Sequence, residues 1–204
     1  MRVNKKKFIY LISPNKIYKK FFKDLQKVLE TGKISFFQLR LKKYSFKNKI
    51  LIGKKIKNIC KKNKVKFLIN DDPILAKRLS ADGCHLGQKD MNIKEARKII
   101  GKKILGITCH NSITLAKIAI KAKASYLAFG AFYSSKTKKT KYAANIKILN
   151  KIKKITKTPI VAIGGINSKN YKKLLLNNAN FLAISGYIWN NKKYKPLEAL
   201  KKLK

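Results

Sequence analysis

The chain has 204 residues and carries 51 basic side chains against 8 acidic ones, a formal net charge of +43. Hydrophobic residues make up 45% of it, which excludes a disordered tail and suffices to bury a full core. No apolar run approaches the ~20 residues of a membrane-spanning helix. The charge alone would suggest a binder of nucleic acid or of a membrane surface. The excess is almost entirely Lys, however, with Arg only at Arg2, Arg40, Arg78 and Arg97. Arg is the better residue for bidentate phosphate and base contacts, so a dedicated nucleic-acid face would use more of it. Lys, Asn and Ile are abundant along the whole chain. That is the pattern of A/T-biased coding, so part of the charge says nothing about a partner.

The first element follows a basic start. Phe8-Ile-Tyr-Leu-Ile12 is too short for a signal-peptide core and reads as a buried strand, continuing to Ser13. Further short apolar, β-rich runs follow at Ile34–Arg40, Lys66–Asn70, Gly83–Leu86, Ile104–Thr108, Tyr126–Gly130, Ile160–Gly164 and Phe181–Ser185. Between them lie Lys-rich amphipathic stretches with helical periodicity: Lys16–Leu29, Phe46–Lys61, Pro73–Leu79, Ile93–Ile100, Ser112–Ala122, Asn145–Ile155 and Ser168–Leu176. Asn111-Ser112 and Asn167-Ser168 offer helix caps, and Pro196–Leu203 supplies an eighth helix. Strict alternation of strand and helix means a parallel sheet. Eight units with near-continuous apolar strands predict an α/β fold closed into a single (β/α)8 TIM barrel, one catalytic domain over residues 1–204. Cys60, Cys84 and Cys109 show no metal-ligand spacing, and an odd count argues against a disulfide framework. A reducing cytoplasm is the expected setting.

In such a barrel the chemistry collects where strands end. The second strand ends in Gln38-Leu-Arg40-Leu-Lys42, and alternation sends Gln38, Arg40 and Lys42 to one side. At the barrel mouth they would form an anion cradle; the alternative is a solvated strand end. Four of the eight acids fall between residues 71 and 90. A hard cation such as Mg²⁺ takes one or two carboxylates together with substrate phosphate oxygens. Asp72, just before Pro73, reads as a helix cap, and Asp82 opens a strand at the far end of the barrel. Asp71 and Asp90 both follow strand ends and form the better metal pair. His110, after the fifth strand, is either an acid/base group or a loop histidine; His85 lies within a strand and is expected to bond internally. Ser134-Ser-Lys-Thr-Lys138 mixes hydroxyls with lysines as a phosphate loop does, though lysines here are also background. Gly164-Gly165 after strand seven and Ser185-Gly186 after strand eight fit the phosphate site common in these barrels. The residues thus describe two anion sites and a divalent cation, suited to two phosphorylated substrates, one activated as a diphosphate.

Gln38-Leu-Arg-Leu-Lys42, Leu68-Ile-Asn-Asp71, Ala81-Asp-Gly-Cys-His-Leu-Gly-Gln-Lys-Asp90, Gly106-Ile-Thr-Cys-His110, Ala128-Phe-Gly130, Thr137-Lys138 and Val161-Ala-Ile-Gly-Gly-Ile166 together resemble the thiamine phosphate synthase family, in order and over nearly the whole chain. The resemblance implies a transferase of thiamine biosynthesis. The diphosphate of a hydroxymethylpyrimidine is displaced by the nitrogen of a thiazole phosphate, with Mg²⁺ neutralising the leaving group. Carried over by position, Gln38 contacts the pyrimidine side. Arg40, Lys42, Asn70, Thr108 and Lys138 hold the pyrimidine diphosphate, with Arg40, Lys42, Thr108 and Lys138 expected to act in catalysis. Asp71 and Asp90 bind Mg²⁺; Ser135, Thr137, Gly165, Ser185 and Gly186 hold the thiazole phosphate. Leu41 departs from the family, which usually has Glu there, and Ser135-Lys136 also differ. Leu41 should face away from Gln38 and Arg40, changing the packing behind the cradle and not the binding itself. The expected partners are small molecules, with neither nucleic acid nor membrane. A thiazole tautomerase-like barrel using His110 would not need the Asp pair. A basic nucleic-acid binder would not explain the clustered acids, and a generic sugar-phosphate barrel shares only the Gly-Gly segment.

Overall fold

The computed structural model describes residues 8–134 and 142–203. In chain order the elements are β1 (Ile9–Ile12), α1 (Phe21–Leu29), β2 (Ile34–Leu39), α2 (Phe46–Lys62), β3 (Lys66–Asn70), α3 (Pro73–Arg78), β4 (Gly83–Leu86), α4 (Ile93–Ile100), β5 (Ile104–His110), α5 (Ile113–Lys121), β6 (Tyr126–Phe129), α6 (Lys147–Ile155), β7 (Ile160–Ile163), α7 (Tyr171–Leu176), β8 (Phe181–Ile184), α8 (Gly186–Trp189) and α9 (Pro196–Lys201). The strands pair in parallel in sequence order, and β8 returns to β1, closing a (β/α)8 barrel. No described helix is long and apolar enough to cross a membrane.

Period-two alternation divides the core into two layers. Ile9, Leu11, Phe37, Leu39, Phe67, Ile69, Leu105 and Leu127 face outward against the helices. Tyr10, Ile12, Leu68, Tyr126, Ala128, Val161 and Ala183 fill the barrel itself, with Phe36, Ile104, Ile163 and Phe181 beside them. Leu41 is buried in the outer layer, as its alternation requires. Complete burial of each large side chain contributes about 1.5–3 kcal/mol, so the many outer-layer contacts dominate stability. Phe21 shows how a helix is seated: its ring lies 5.2 Å from Trp189 and 6.5 Å from Phe37, tying α1 to α8 and β2.

Several boundaries differ from expectation. α1 starts at Phe21, not Lys16, because the Tyr44 hydroxyl accepts from the Ile17 amide and holds the preceding segment in a turn. α7 starts at Tyr171, not Ser168. The Asn167 amide donates to Asn170 Oδ1, and the Lys169 amide donates to Asn167 Oδ1, so the expected cap forms a turn ahead of the helix. By contrast, Ser112 does cap α5, accepting from the Leu115 amide at 3.2 Å. α8 is an additional short helix where a plain turn was expected after Ser185, and the C-terminal helix is therefore the ninth among the described residues.

The candidate active site

The C-terminal strand ends and the loops after them carry the described residues of the predicted site. Asp71 leaves β3 with φ of 64°, a left-handed conformation that Asp tolerates better than most side chains. Its amide donates to the His85 carbonyl at 2.8 Å. This turn separates two adjacent carboxylates. Asp72 caps α3, accepting from the Leu75 amide at 2.8 Å, while Asp71 faces Lys42 with Oδ2 2.8 Å from Nζ. Asp82 lies at the opposite end of the barrel, where it accepts from the Phe67 amide and pairs with Lys66.

Asp90 reaches Asp71 from the loop after β4. Its Oδ2 accepts from the Gly87 amide at 2.6 Å, and its carboxyl is hydrogen-bonded to that of Asp71. Burial and the neighbouring Asp71 carboxylate raise the pKa of Asp90. Burial also works to raise that of Asp71, but hydrogen bonds with Asp90 and Lys42 outweigh it, and Asp71 is held below its ordinary value. Two carboxylates crowded in this way fit a divalent cation, which would take both in the ionised form. No described group of three or more His, Cys, Asp and Glu side chains forms a protein-only cage. Leu41, Lys42, Asn70, Asp71 and Met91 border a cleft of about 460 Å³ here. Another groove, of about 520 Å³, lies between α2 and α3 outside the strands and is lined chiefly by Phe46, Ile50, Leu51 and Ile74. It contains none of the predicted site residues.

The expectation for Gln38, Arg40 and Lys42 needs correction in one respect. They do share a side, but they do not form one solvated cradle. Gln38 is 2% exposed, inside the barrel, where Nε2 donates to the Tyr10 hydroxyl at 2.7 Å. Arg40 is tethered to Asn15 Oδ1 at 3.0 Å, its pKa lowered by burial while Asp71 works the other way. Only Lys42 reaches the Asp pair. Thr108 is bonded through Oγ1 to His85 Nε2 at 2.9 Å, and its carbonyl accepts from Gln88 Nε2. His85 thus bonds internally, as expected. His110 sits at the end of β5 with φ of 51°, its ring stacked on Tyr142 with centroids 3.8 Å apart.

Across the mouth, the β7 and β8 ends bring Gly165, Ser185 and Gly186 together with the loop after β6. The Ser185 hydroxyl donates to the Ser13 carbonyl at 3.0 Å. Gly165 has φ of 60°, and a Cβ there would strike the Ser134 carbonyl oxygen; a Cβ on Gly164 would strike Ala131. The two glycines therefore admit the β6 loop against the β7 loop, a packing need that Gly-Gly alone did not disclose. Ser135, Thr137 and Lys138 lie outside the described residues.

Sequence reasoning missed Tyr10 and Tyr126. Their hydroxyls are 2.8 Å apart, and Tyr126 also bonds His85 Nδ1 at 2.9 Å. Burial raises both phenol pKa values. Gly106 makes the room, since a Cβ there would fall inside the Tyr126 ring. Tyr at an inward position of an apolar strand was the available clue.

A family model described as thiamine monophosphate synthase matches residues 9–188. A thiamine-phosphate synthase of Pelagibacter ubique is 70% identical over the full length of both chains. One from Erythrobacter litoralis is 40% identical, covering 89% of this chain and 88% of its own. Among solved structures, a thiamine phosphate pyrophosphorylase from Pyrococcus furiosus superposes with a TM-score of 0.85 at 27% identity, covering 97% of this chain and 94% of that one.

Proposed function

The chain belongs to the thiamine monophosphate synthase family and is a transferase of thiamine biosynthesis; from that premise we propose how its own residues carry the reaction. The substrates are 4-amino-2-methyl-5-(diphosphomethyl)pyrimidine and 4-methyl-5-(2-phosphoethyl)thiazole, and the products are thiamine phosphate and pyrophosphate. The C–O bond to the diphosphate breaks with both electrons going to oxygen. The thiazole nitrogen lone pair forms the new C–N bond to the same methylene carbon. No side chain need act as nucleophile. The buried cysteines suit that scheme, since burial pushes the Cys109 thiol up to about 12 and raises Cys60 and Cys84 as well.

The barrel separates the two anions. Arg40 and Lys42, just after β2, with Asn70 on β3 and Thr108 on β5, would hold the diphosphate together with Lys138. Gly165, Ser185 and Gly186, at the β7 and β8 ends, would hold the thiazole phosphate with Ser135 and Thr137. In the closed order β3 and β7 stand four strands apart, on opposite walls. Two substrates held there would meet over the barrel axis, with the nitrogen facing the methylene carbon, which is the positioning advantage such a site offers. Asp71 and Asp90 would hold Mg²⁺, which when bound neutralises charge on the departing diphosphate. Lys42 and Arg40 add fixed positive charge on that side.

The observation that carries this reading is the Asp71–Asp90 pair with Lys42 held at Asp71, where Asp71, Lys42 and Asn70 line one cleft. A thiazole tautomerase has no use for that pair. Expression in a bacterial strain lacking its own thiamine phosphate synthase tests the function. Growth without thiamine is expected, and an Asp71→Asn/Asp90→Asn double variant should not support it. Well-expressed protein that fails to rescue growth would count against the synthase reading.

A further inference from the structure

Five side chains form one continuous hydrogen-bonded chain across the barrel interior: Gln38 Nε2 to the Tyr10 hydroxyl (2.7 Å), Tyr10 to Tyr126 (2.8 Å), Tyr126 to His85 Nδ1 (2.9 Å), and His85 Nε2 to Thr108 Oγ1 (2.9 Å). Its two ends are residues assigned above to the pyrimidine side of the site. Its three middle members have no role in the reaction just described.

Counting protons gives the chain a direction. Gln38 donates an amide hydrogen to the Tyr10 oxygen, so the single Tyr10 proton goes to Tyr126. The Tyr126 oxygen is then an acceptor on that side, and its own proton goes to His85 Nδ1. An imidazole that accepts at Nδ1 carries its hydrogen on Nε2 and donates it to Thr108. Thr108 keeps its hydroxyl proton to give elsewhere, and Gln38 keeps Oε1 as an acceptor. With the Gln38 amide donating, reversing a later link would leave a buried hydroxyl hydrogen without an acceptor or set two donors against each other, which is costly. The rings are also packed in place. His85 and Tyr126 are stacked within 10° of parallel, and Tyr10 meets Tyr126 edge-on. The absence of a side chain at Gly106 is what admits the Tyr126 ring.

We infer that Tyr126 is a positioning residue that transmits one hydrogen-bond direction from Gln38 to Thr108 through His85, so that Gln38 presents an acceptor and Thr108 a donor to the pyrimidine substrate. The substrate carries the matching pair, an exocyclic N–H on the aminopyrimidine for Gln38 and a diphosphate oxygen for Thr108. The inference rests on the synthase reading for its ligand, while the direction of the chain is a property of the protein alone.

The chain has two histidines, so ¹⁵N-labelled imidazoles give a spectrum simple enough to assign. The wild type is expected to show His85 with hydrogen on Nε2 and an unprotonated Nδ1. In Tyr126→Phe that pattern should be lost, and the KM for the pyrimidine diphosphate should rise about tenfold, the effect of one buried hydrogen bond. The KM for the thiazole phosphate should change less than about twofold, within the effect of a neutral substitution. If Tyr126→Phe does not fold, Tyr10→Phe serves. It cuts the chain on the Gln38 side, so the His85 pattern should persist while the pyrimidine KM rises. Hydrogen on Nδ1 in the wild type overturns the inference, as does an unchanged pyrimidine KM in the folded variant. A wild type with the expected His85 pattern that makes no thiamine phosphate would instead remove the synthase reading and, with it, the assignment of the pyrimidine as ligand.

Discussion

Asp90→Asn should make the metal-free protein more stable while nearly abolishing turnover. In the wild type the Asp90 carboxyl is raised by burial and by Asp71, and it accepts from the Gly87 amide at 2.6 Å. Asn keeps an oxygen for Gly87 and offers Asp71 an N–H donor without a second negative charge. A hydrogen bond to a charged partner contributes about 1.5–3 kcal/mol when buried. Solvent screening at this half-buried site reduces that to about 0.5–1 kcal/mol. The sign follows from the direction of the shift. A carboxyl raised in the folded state adds stability below its unfolded value and loses it as pH rises through the folded value. The advantage of Asn should therefore grow as pH rises from the unfolded to the folded value of Asp90, stay level above that window, and vanish below it, where Asp90 is also uncharged. Urea unfolding in chelator at several pH values measures it. Pyrophosphate release with Mg²⁺ should fall at least ~100-fold, because several kcal/mol of charge stabilisation would leave with the metal. A variant less stable than wild type at neutral pH without metal, or one with normal turnover, would refute this account of the pair.

Gly106→Ala should cost about 1–3 kcal/mol or more in urea unfolding, since the new methyl must displace the Tyr126 ring. His110→Ala should leave the rate of synthesis within about twofold, because His110 stacks on Tyr142 and the scheme requires no proton transfer from it; complete loss would point to acid/base work. Lys138→Ala should reduce turnover by at least ~10-fold, the usual effect of a lost charged hydrogen bond, and Lys139→Ala by much less. Equal small effects would mark both lysines as background.

The barrel was legible in the sequence because each strand is a short apolar run closed by a polar residue or glycine, and because parallel strands buried on both faces leave little ambiguity. The placements of Asp71, Asp72, Asp82 and Asp90 were legible for a related reason: each could be placed relative to a strand end, and the strand end decides which end of the barrel a side chain serves. The starts of α1 and α7 were not legible. They depend on bonds made by Tyr44, Asn167 and Asn170, and periodicity does not report such bonds. Nor was the Gln38–Thr108 chain. Tyr10 and Tyr126 lie 116 residues apart, and only the closed register brings their hydroxyls together. Alternation alone placed Gln38 on the correct side, but not how deep in the barrel its amide would find a partner. The +43 charge proved less informative than the acids, since the one described lysine paired within the proposed site is held by Asp71.

The most direct test is a ³¹P NMR time course of the purified protein with both phosphorylated substrates. The pyrimidine diphosphate and thiazole phosphate signals should decay together as thiamine phosphate and pyrophosphate grow in equal amounts, and chelation should stop the change until Mg²⁺ is restored. Pyrophosphate appearing without thiamine phosphate, or condensation proceeding undiminished in chelator, would contradict a metal-assisted transfer between two substrates held on opposite walls of the barrel.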